Sequence, residues 1–240
     1  MKKFVLSIFA VVFAVGFTMA QDNDVKLEQL SNNNTATITQ NSQGDRVEAT
    51  QQGGGNNVAT ITQNVLDPDP NSVGLPTDQL VRLTQTGSRN RFIAETDGKD
   101  NKVNALQRGN SNRADIDVIN FVSNGSDVKL EQLGDRNRAT ANMESPAELR
   151  AKQVGDENRL NYVSNGGAVS HKATVEQRGF SNNMDLVQDG WQHRLNADQK
   201  GDNNRLTANQ FGSLLPSGSG NVINALQQGN GNTATINQNN

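Results

Sequence analysis

The side chains best placed to do chemistry in this chain are primary amides. In the stretch Gln227-Gln228-Gly229-Asn230-Gly231-Asn232-Thr233-Ala234-Thr235-Ile236-Asn237-Gln238, two glutamines stand eleven residues apart, with Gly two and Asn five residues after the first. A primary amide carries two donors and a carbonyl acceptor, so its chemistry is hydrogen bonding, and identical amides set one above another satisfy each other. The same eleven-residue spacing recurs as Gln29/Gln40, Gln52/Gln63, Gln85/Thr96, Gln107/Val118, Gln132/Met143, Gln153/Ser164, Gln177/Gln188, Gln199/Gln210 and Gln227/Gln238. Asparagine holds the fifth position in every copy: Asn34, Asn57, Asn90, Asn112, Asn137, Asn158, Asn182, Asn204 and Asn232.

Other chemistries find little support. There is no cysteine, only two histidines stand in the chain, and no nucleophile, base or phosphate-loop motif is recognisable, so an enzyme, a metal site or a cofactor is not expected. Asp67 and Asp69 lie in a proline loop that reads as solvated rather than as a Ca²⁺ site, and Trp191 and His193 read as loop decoration.

These amides need strands to position them. Small or branched apolar residues alternate with polar ones between the Asn and the second Gln, the period of a strand showing one face to a core. Glycine, free to take positive φ, marks the turns at Gly54, Gly87, Gly109, Gly134, Gly155, Gly179, Gly201 and Gly229, with Gly98 and Gly190 on the return side; Ser31 replaces it in the first copy. The spacing within copies is constant. Between copies it runs from 10 to 22 residues, which predicts a tight arc inside each repeat and a tolerant arc between repeats. The Gln51-Gln52 doublet carries one extra residue and predicts a bulge.

Hydrophobic content of 33% and aromatic content of 4% are too low for a conventional core, but the periodicity predicts an all-β fold: a β-solenoid of about nine two-strand coils over 21–240. Residues 64–79, with Pro68, Pro70 and Pro76, are expected to loop out, as are 213–219 around Pro216. Tyr162 falls at an inward position with Leu149, Ala151 and Leu160, but is large for so thin a core, which leaves an outward lean as the alternative. Residues 1–20 read as a secretory signal peptide: Lys2-Lys3, an apolar run from Phe4 to Phe17, then Thr18-Met19-Ala20. Its removal takes the net charge from −3 to −5, and no second apolar stretch predicts stable membrane insertion.

The pattern Gln-x-Gly-x-x-Asn-x-Ala-x-x-x-Gln, at Gln227, Gly229, Asn232, Ala234 and Gln238 and in part at Gln199, Gly201, Asn204 and Gln210, resembles the curlin repeat of bacterial curli fibre subunits, and its nine copies cover nearly the whole mature chain. The resemblance implies a secreted subunit that polymerises into an extracellular functional amyloid at the cell surface, builds biofilm matrix and mediates adhesion to host or matrix ligands. It also implies a second curlin subunit as nucleator and a dedicated outer-membrane secretion pore. The chain departs from the pattern in its longer loops and in Thr96, Val118, Met143 and Ser164, which replace the second glutamine in four consecutive repeats.

Several readings of the charge and of the ends accompany this. Arg91, Arg113, Arg138, Arg159 and Arg205 recur at one outward position, whereas terminal repeats carry Thr35, Val58 and Thr233 there, so the middle coils are expected to be gatekept against premature aggregation and the end coils to be adhesive. With a net negative chain, this column reads as a solvated face rather than a specific nucleic-acid site. No cap is expected at either end, since the mature chain enters its first strand within a few residues and stops two residues after Gln238. A nucleating minor subunit is the alternative function. A monomeric ice-binding solenoid, suggested by Thr35, Thr37, Thr39, Thr60 and Thr62, or an adhesin, stands further off.

Overall fold

A computed structural model describes residues 22–64, 78–119, 126–143, 147–164, 171–190, 192–212 and 220–239. The proposed signal peptide, nearly all of the proline-rich loop, the 213–219 loop and Trp191 lie outside these residues. All regular structure among them is β. On one side run β1 (Asp24–Gln29), β3 (Arg46–Gly55), β5 (Leu80–Ser88), β7 (Lys102–Arg108), β9 (Asp127–Leu133), β11 (Ala147–Val154), β13 (His171–Arg178), β15 (Arg194–Lys200) and β17 (Val222–Gln228). On the other run β2 (Thr35–Gln40), β4 (Val58–Asn64), β6 (Arg91–Asp97), β8 (Arg113–Ile119), β10 (Arg138–Thr140), β12 (Arg159–Ser164), β14 (Asn183–Asp189), β16 (Arg205–Phe211) and β18 (Thr233–Asn239).

Odd strands form one nine-stranded sheet and even strands another, each strand hydrogen-bonded to those two places away in sequence. Every pairing is parallel and nearly all are in register, so a residue sits directly over its counterpart in the next coil: Leu27 over Ala49, Ala49 over Leu83, Leu83 over Ala105. This is a β-solenoid, the architecture that the periodicity predicts. The core is the single layer between the sheets, filled by alternate residues such as Val81, Leu83, Phe92 and Ala94 in one coil and Leu195, Ala197, Leu206 and Ala208 in another. Each coil buries about four modest apolar side chains, too few to offset the ordering of its backbone at roughly 1–2 kcal/mol per residue, so coils gain stability from their neighbours.

Tyr162 takes the inward place that the alternation gives it, without the outward lean. It is fully buried, its hydroxyl donating to Gln188 Oε1 at 2.6 Å, and burial pushes its phenol well above the ordinary range. Space for the ring exists because its neighbours on adjoining strands are not all large: Leu186 lies beside it on one strand, and on the other side β10 is only three residues long and is followed by Ala141. Met143 rejoins the ladder through single bridges to Val118 and Ser164.

Candidate assembly surface and amide ladders

The first glutamine column is continuous. Each side chain donates from Nε2 to Oε1 of the next rung: Gln29 to Gln51 (2.7 Å), Gln51 to Gln85 (2.8 Å), Gln85 to Gln107 (2.8 Å), Gln107 to Gln132 (2.8 Å) and Gln132 to Gln153 (2.9 Å). It continues from Gln153 to Gln177 (2.9 Å), Gln177 to Gln199 (3.1 Å) and Gln199 to Gln227 (2.6 Å). The second amide hydrogen crosses the core to the opposite sheet, as from Gln132 to Arg113 O (2.9 Å) and from Gln153 to Arg138 O (3.0 Å). One column thus joins rungs along the rod and ties the two sheets together.

Gln52 is not in this column. The register places Gln51 under Gln85 and Gln52 under Thr86, and Gln52 donates to the Thr86 hydroxyl at 3.2 Å. The extra residue of the doublet is taken up after the glutamine, where the register shifts between Gln52 and Gly55, so spacing counted back from Gln63 selects the wrong member. Gly54 is displaced for the same reason: Gly53 (φ 97°) and Gly55 (φ 92°) take the left-handed conformations there.

The second glutamine column exists only at its ends. Gln40 donates to Gln63 at 3.0 Å, and Gln188, Gln210 and Gln238 are linked at 2.8 and 3.2 Å. Between them the column passes through Thr96, Val118, Met143 and Ser164, all fully buried. Gln63, facing Thr96, has a buried Nε2 without a partner.

Asparagines at the tight arcs form a third column. The backbone N–H of each donates to the side-chain carbonyl of the Asn below: Asn57 to Asn34 Oδ1, Asn90 to Asn57 Oδ1 and Asn112 to Asn90 Oδ1, all at 3.0 Å. Asn137, Asn158, Asn182, Asn204 and Asn232 repeat this at 2.9–3.1 Å. The side-chain Nδ2 reaches up to the turn glycine of the next coil, as from Asn90 to Gly109 O (2.8 Å) and Asn112 to Gly134 O (2.7 Å). That glycine has no room for a side chain: a Cβ on Gly109 (φ 119°) would lie 2.1 Å from Gly134 O. Gly87, Gly134, Gly155, Gly179, Gly201 and Gly229 share the positive φ, as do Gly98 and Gly190 on the other edge.

Two features of the arcs escape the repeat pattern. A second left-handed residue stands two places after the glycine, occupied by Arg89, Ser111, Arg136, Glu157, Ser181 and Asn203. The tolerant arcs also carry an inward polar column, with Asp45, Gln79, Asn101, Ser126, His171 and His193 all buried. Asp45, Asn101 and His193 lie five residues after Gln40, Thr96 and Gln188, so applying the Asn offset to the second anchor would have found them.

His171 and His193 stack in this column with ring centroids 5.3 Å apart. Their Nε2 atoms meet the acceptor-only carbonyls of Gly190 and Asp189 at 2.9 Å, so each Nε2 carries a proton. Nδ1 of His193 accepts the Asn221 N–H at 3.0 Å, and Nδ1 of His171 is hydrogen-bonded to the Ser164 hydroxyl at 2.7 Å. Both rings are therefore bonded at both nitrogens. Burial pulls the His171 pKa down, and the neighbouring His193 lowers it further against the opposing effects of the Gly190 carbonyl and Asp189.

The arginines form one in-register outward column, Arg91 beside Arg113, Arg113 beside Arg138 and Arg138 beside Arg159, interrupted by Asn183 before Arg205. The opposite face mixes charges, with Glu48 held below the usual carboxylate range by its hydrogen bond to Arg82 and Glu131 by that to Lys129. The threonine array is short: Thr37 and Thr39 stack on Thr60 and Thr62, and the next rungs hold Ile93 and Glu95. Among the described residues, no group of three metal-ligating side chains comes together, and no helix is long and apolar enough to cross a membrane.

The end rungs differ from all others. Val25 is 42% exposed, whereas Val47, next in its column, is fully buried. In the last coil Ala234 and Ile236 are only partly buried, against fully buried Leu206 and Ala208 below them. Among the described residues nothing lies across either end. Set against known proteins, the chain matches no family model, no curated protein and no solved structure.

Proposed function

We propose that this protein is a secreted structural subunit that stacks end to end into curli-like extracellular amyloid fibres, serving as matrix and adhesive at the cell surface. The observation that carries the reading is the open pair of end rungs. Among the described residues, core-facing side chains, amide columns and strand edges stop there, and the surface most complementary to either end is the opposite end of another copy. Parallel, in-register pairing lets a new coil extend every column at once. Strand order supports a head-to-tail join, in which β17 and β18 of one copy meet β1 and β2 of the next. The resemblance to curlin repeats supports the same reading, with a nucleating partner subunit and a secretion pore as its expected companions.

The test is to incubate purified mature chain at micromolar concentration and follow thioflavin fluorescence and electron micrographs, with and without preformed seeds. Spontaneous, self-seeded fibres are expected of a major subunit. Strong seeding of a second subunit with little growth of its own would make the chain a nucleator. Monomers persisting for days under seeding would refute assembly as the function.

A further inference from the structure

The arginine column has a second consequence that does not rest on fibre formation, because it is complete within one chain. Arg91, Arg113, Arg138 and Arg159 stand on consecutive rungs of the even sheet, so their Cα atoms repeat at the strand spacing of ~4.8 Å. Only Arg113 has an ion pair, to Asp115 at 2.6 Å; among the described residues no carboxylate lies within ion-pair distance of Arg91, Arg138 or Arg159. Like charges one rung apart repel, and the fold leaves that repulsion largely uncompensated. Nearby acids on the tight arc are otherwise engaged: Asp135 and Asp156 accept backbone N–H groups of the coil below, and Glu157 pairs with Arg136.

The surroundings discriminate between polyanions. On the same outer face, the rungs of Arg138 and Arg159 continue with the neutral Thr140 and Asn161, the latter donating to Asp185 at 2.9 Å, whereas the rungs of Arg91 and Arg113 carry Glu95, Asp115 and Asp117. Among the described residues, no aromatic side chain stands at the outward positions of these four strands, where bases of a nucleic acid would need a stacking platform. Each strand of a duplex advances only about 3.4 Å per phosphate, out of step with the rungs. A linear polyuronate carries one carboxylate per sugar ring, hydroxyls between them, and planar carboxylates that guanidinium groups bind in bidentate fashion.

We propose that the column Arg91–Arg113–Arg138–Arg159, with Thr140 and Asn161 beside it, is a binding face for a linear carboxylated polysaccharide lying along the rod axis. The test uses freshly desalted full-length mature chain and a fluorescent oligogalacturonate, with binding read by anisotropy over a range of salt. Saturable binding is expected that weakens as salt rises and is lost with the fully methyl-esterified oligomer. The double variant R138Q/R159Q, whose side chains are exposed and whose fold is checked by circular dichroism, should bind at least about tenfold more weakly; R138K/R159K should fall between, since lysine keeps the charge but not the fork. Absence of binding at low salt, or an undiminished R138Q/R159Q, overturns the proposal. Equal or tighter binding of a single-stranded oligonucleotide of matched charge overturns the assignment to polyuronates. Because the measurement is made on monomer, its failure leaves the fibre reading standing, and failure to form fibres leaves this site standing.

Discussion

Replacing Gln153 by leucine removes one rung from the middle of the glutamine ladder while keeping much of the side chain's bulk. The native amide donates to Gln177 Oε1 (2.9 Å) and Arg138 O (3.0 Å) and accepts from Gln132 Nε2 (2.9 Å), all in a site closed to solvent. Each buried group that loses its partner costs of order 1–3 kcal/mol; since Gln132 keeps its bond to Arg113 O, and leucine gains something on burial, a net loss of about 3–5 kcal/mol is expected. Met143→Gln is the converse experiment. It places an amide between Val118 and Ser164, where no glutamine waits above or below, and should cost about 1–3 kcal/mol rather than stabilise. Denaturant unfolding of monomer followed by far-ultraviolet circular dichroism measures both. A loss below about 1 kcal/mol for Q153L, or a gain for M143Q, would refute the claim that amides stabilise here only in unbroken columns.

Gly134→Ala should disrupt stacking of the central coils, because a Cβ there lies 2.2 Å from Gly155 O at φ 118°; a loss of at least about 2 kcal/mol is expected, and a neutral result would mean that the arcs are free to shift. Acid should destabilise the His171–His193 region: the folded pKa of His171 is lowered, so stability is full above the unfolded value of 6.5 and is lost as pH falls from there toward the folded pKa. Hydrogen exchange of coils seven to nine should show this, and the double variant H171N/H193N should flatten the dependence; an equal slope in that variant would place the effect elsewhere. Thr35→Arg combined with Thr233→Arg extends the arginine column to both ends and should slow fibre elongation through like charges meeting at each junction, with unchanged kinetics arguing against charge as a gatekeeper.

Sequence alone carried the solenoid because its determinants are local and repeated. Inward Leu, Ala and Val alternate with period two, Gly marks positive φ, and the Asn offset never varies. It failed where one residue decides register: nothing in Gln51-Gln52 says which amide faces inward, since that depends on how Gly53–Gly55 absorb the extra residue. Whether Tyr162 would keep its inward place was not legible, because the room for it depends on the neighbouring coils and is invisible within one repeat. The tolerant-arc column was hidden by chemical variety, since Asp45, Asn101 and His193 occupy one position without sharing a residue type.

The most direct test of end-to-end stacking uses the absence of native cysteine. Glu28 and Leu226 begin and end one outward column, so within a chain they are roughly 40 Å apart, while across a head-to-tail junction they would be one rung apart at ~4.8 Å, within reach of a disulfide. A chain carrying both E28C and L226C, assembled and mildly oxidised, should give a ladder of disulfide-linked oligomers on a non-reducing gel, and neither single variant should dimerise. Only monomers from assembled double variant, or dimers from L226C alone, would contradict the stacking described here.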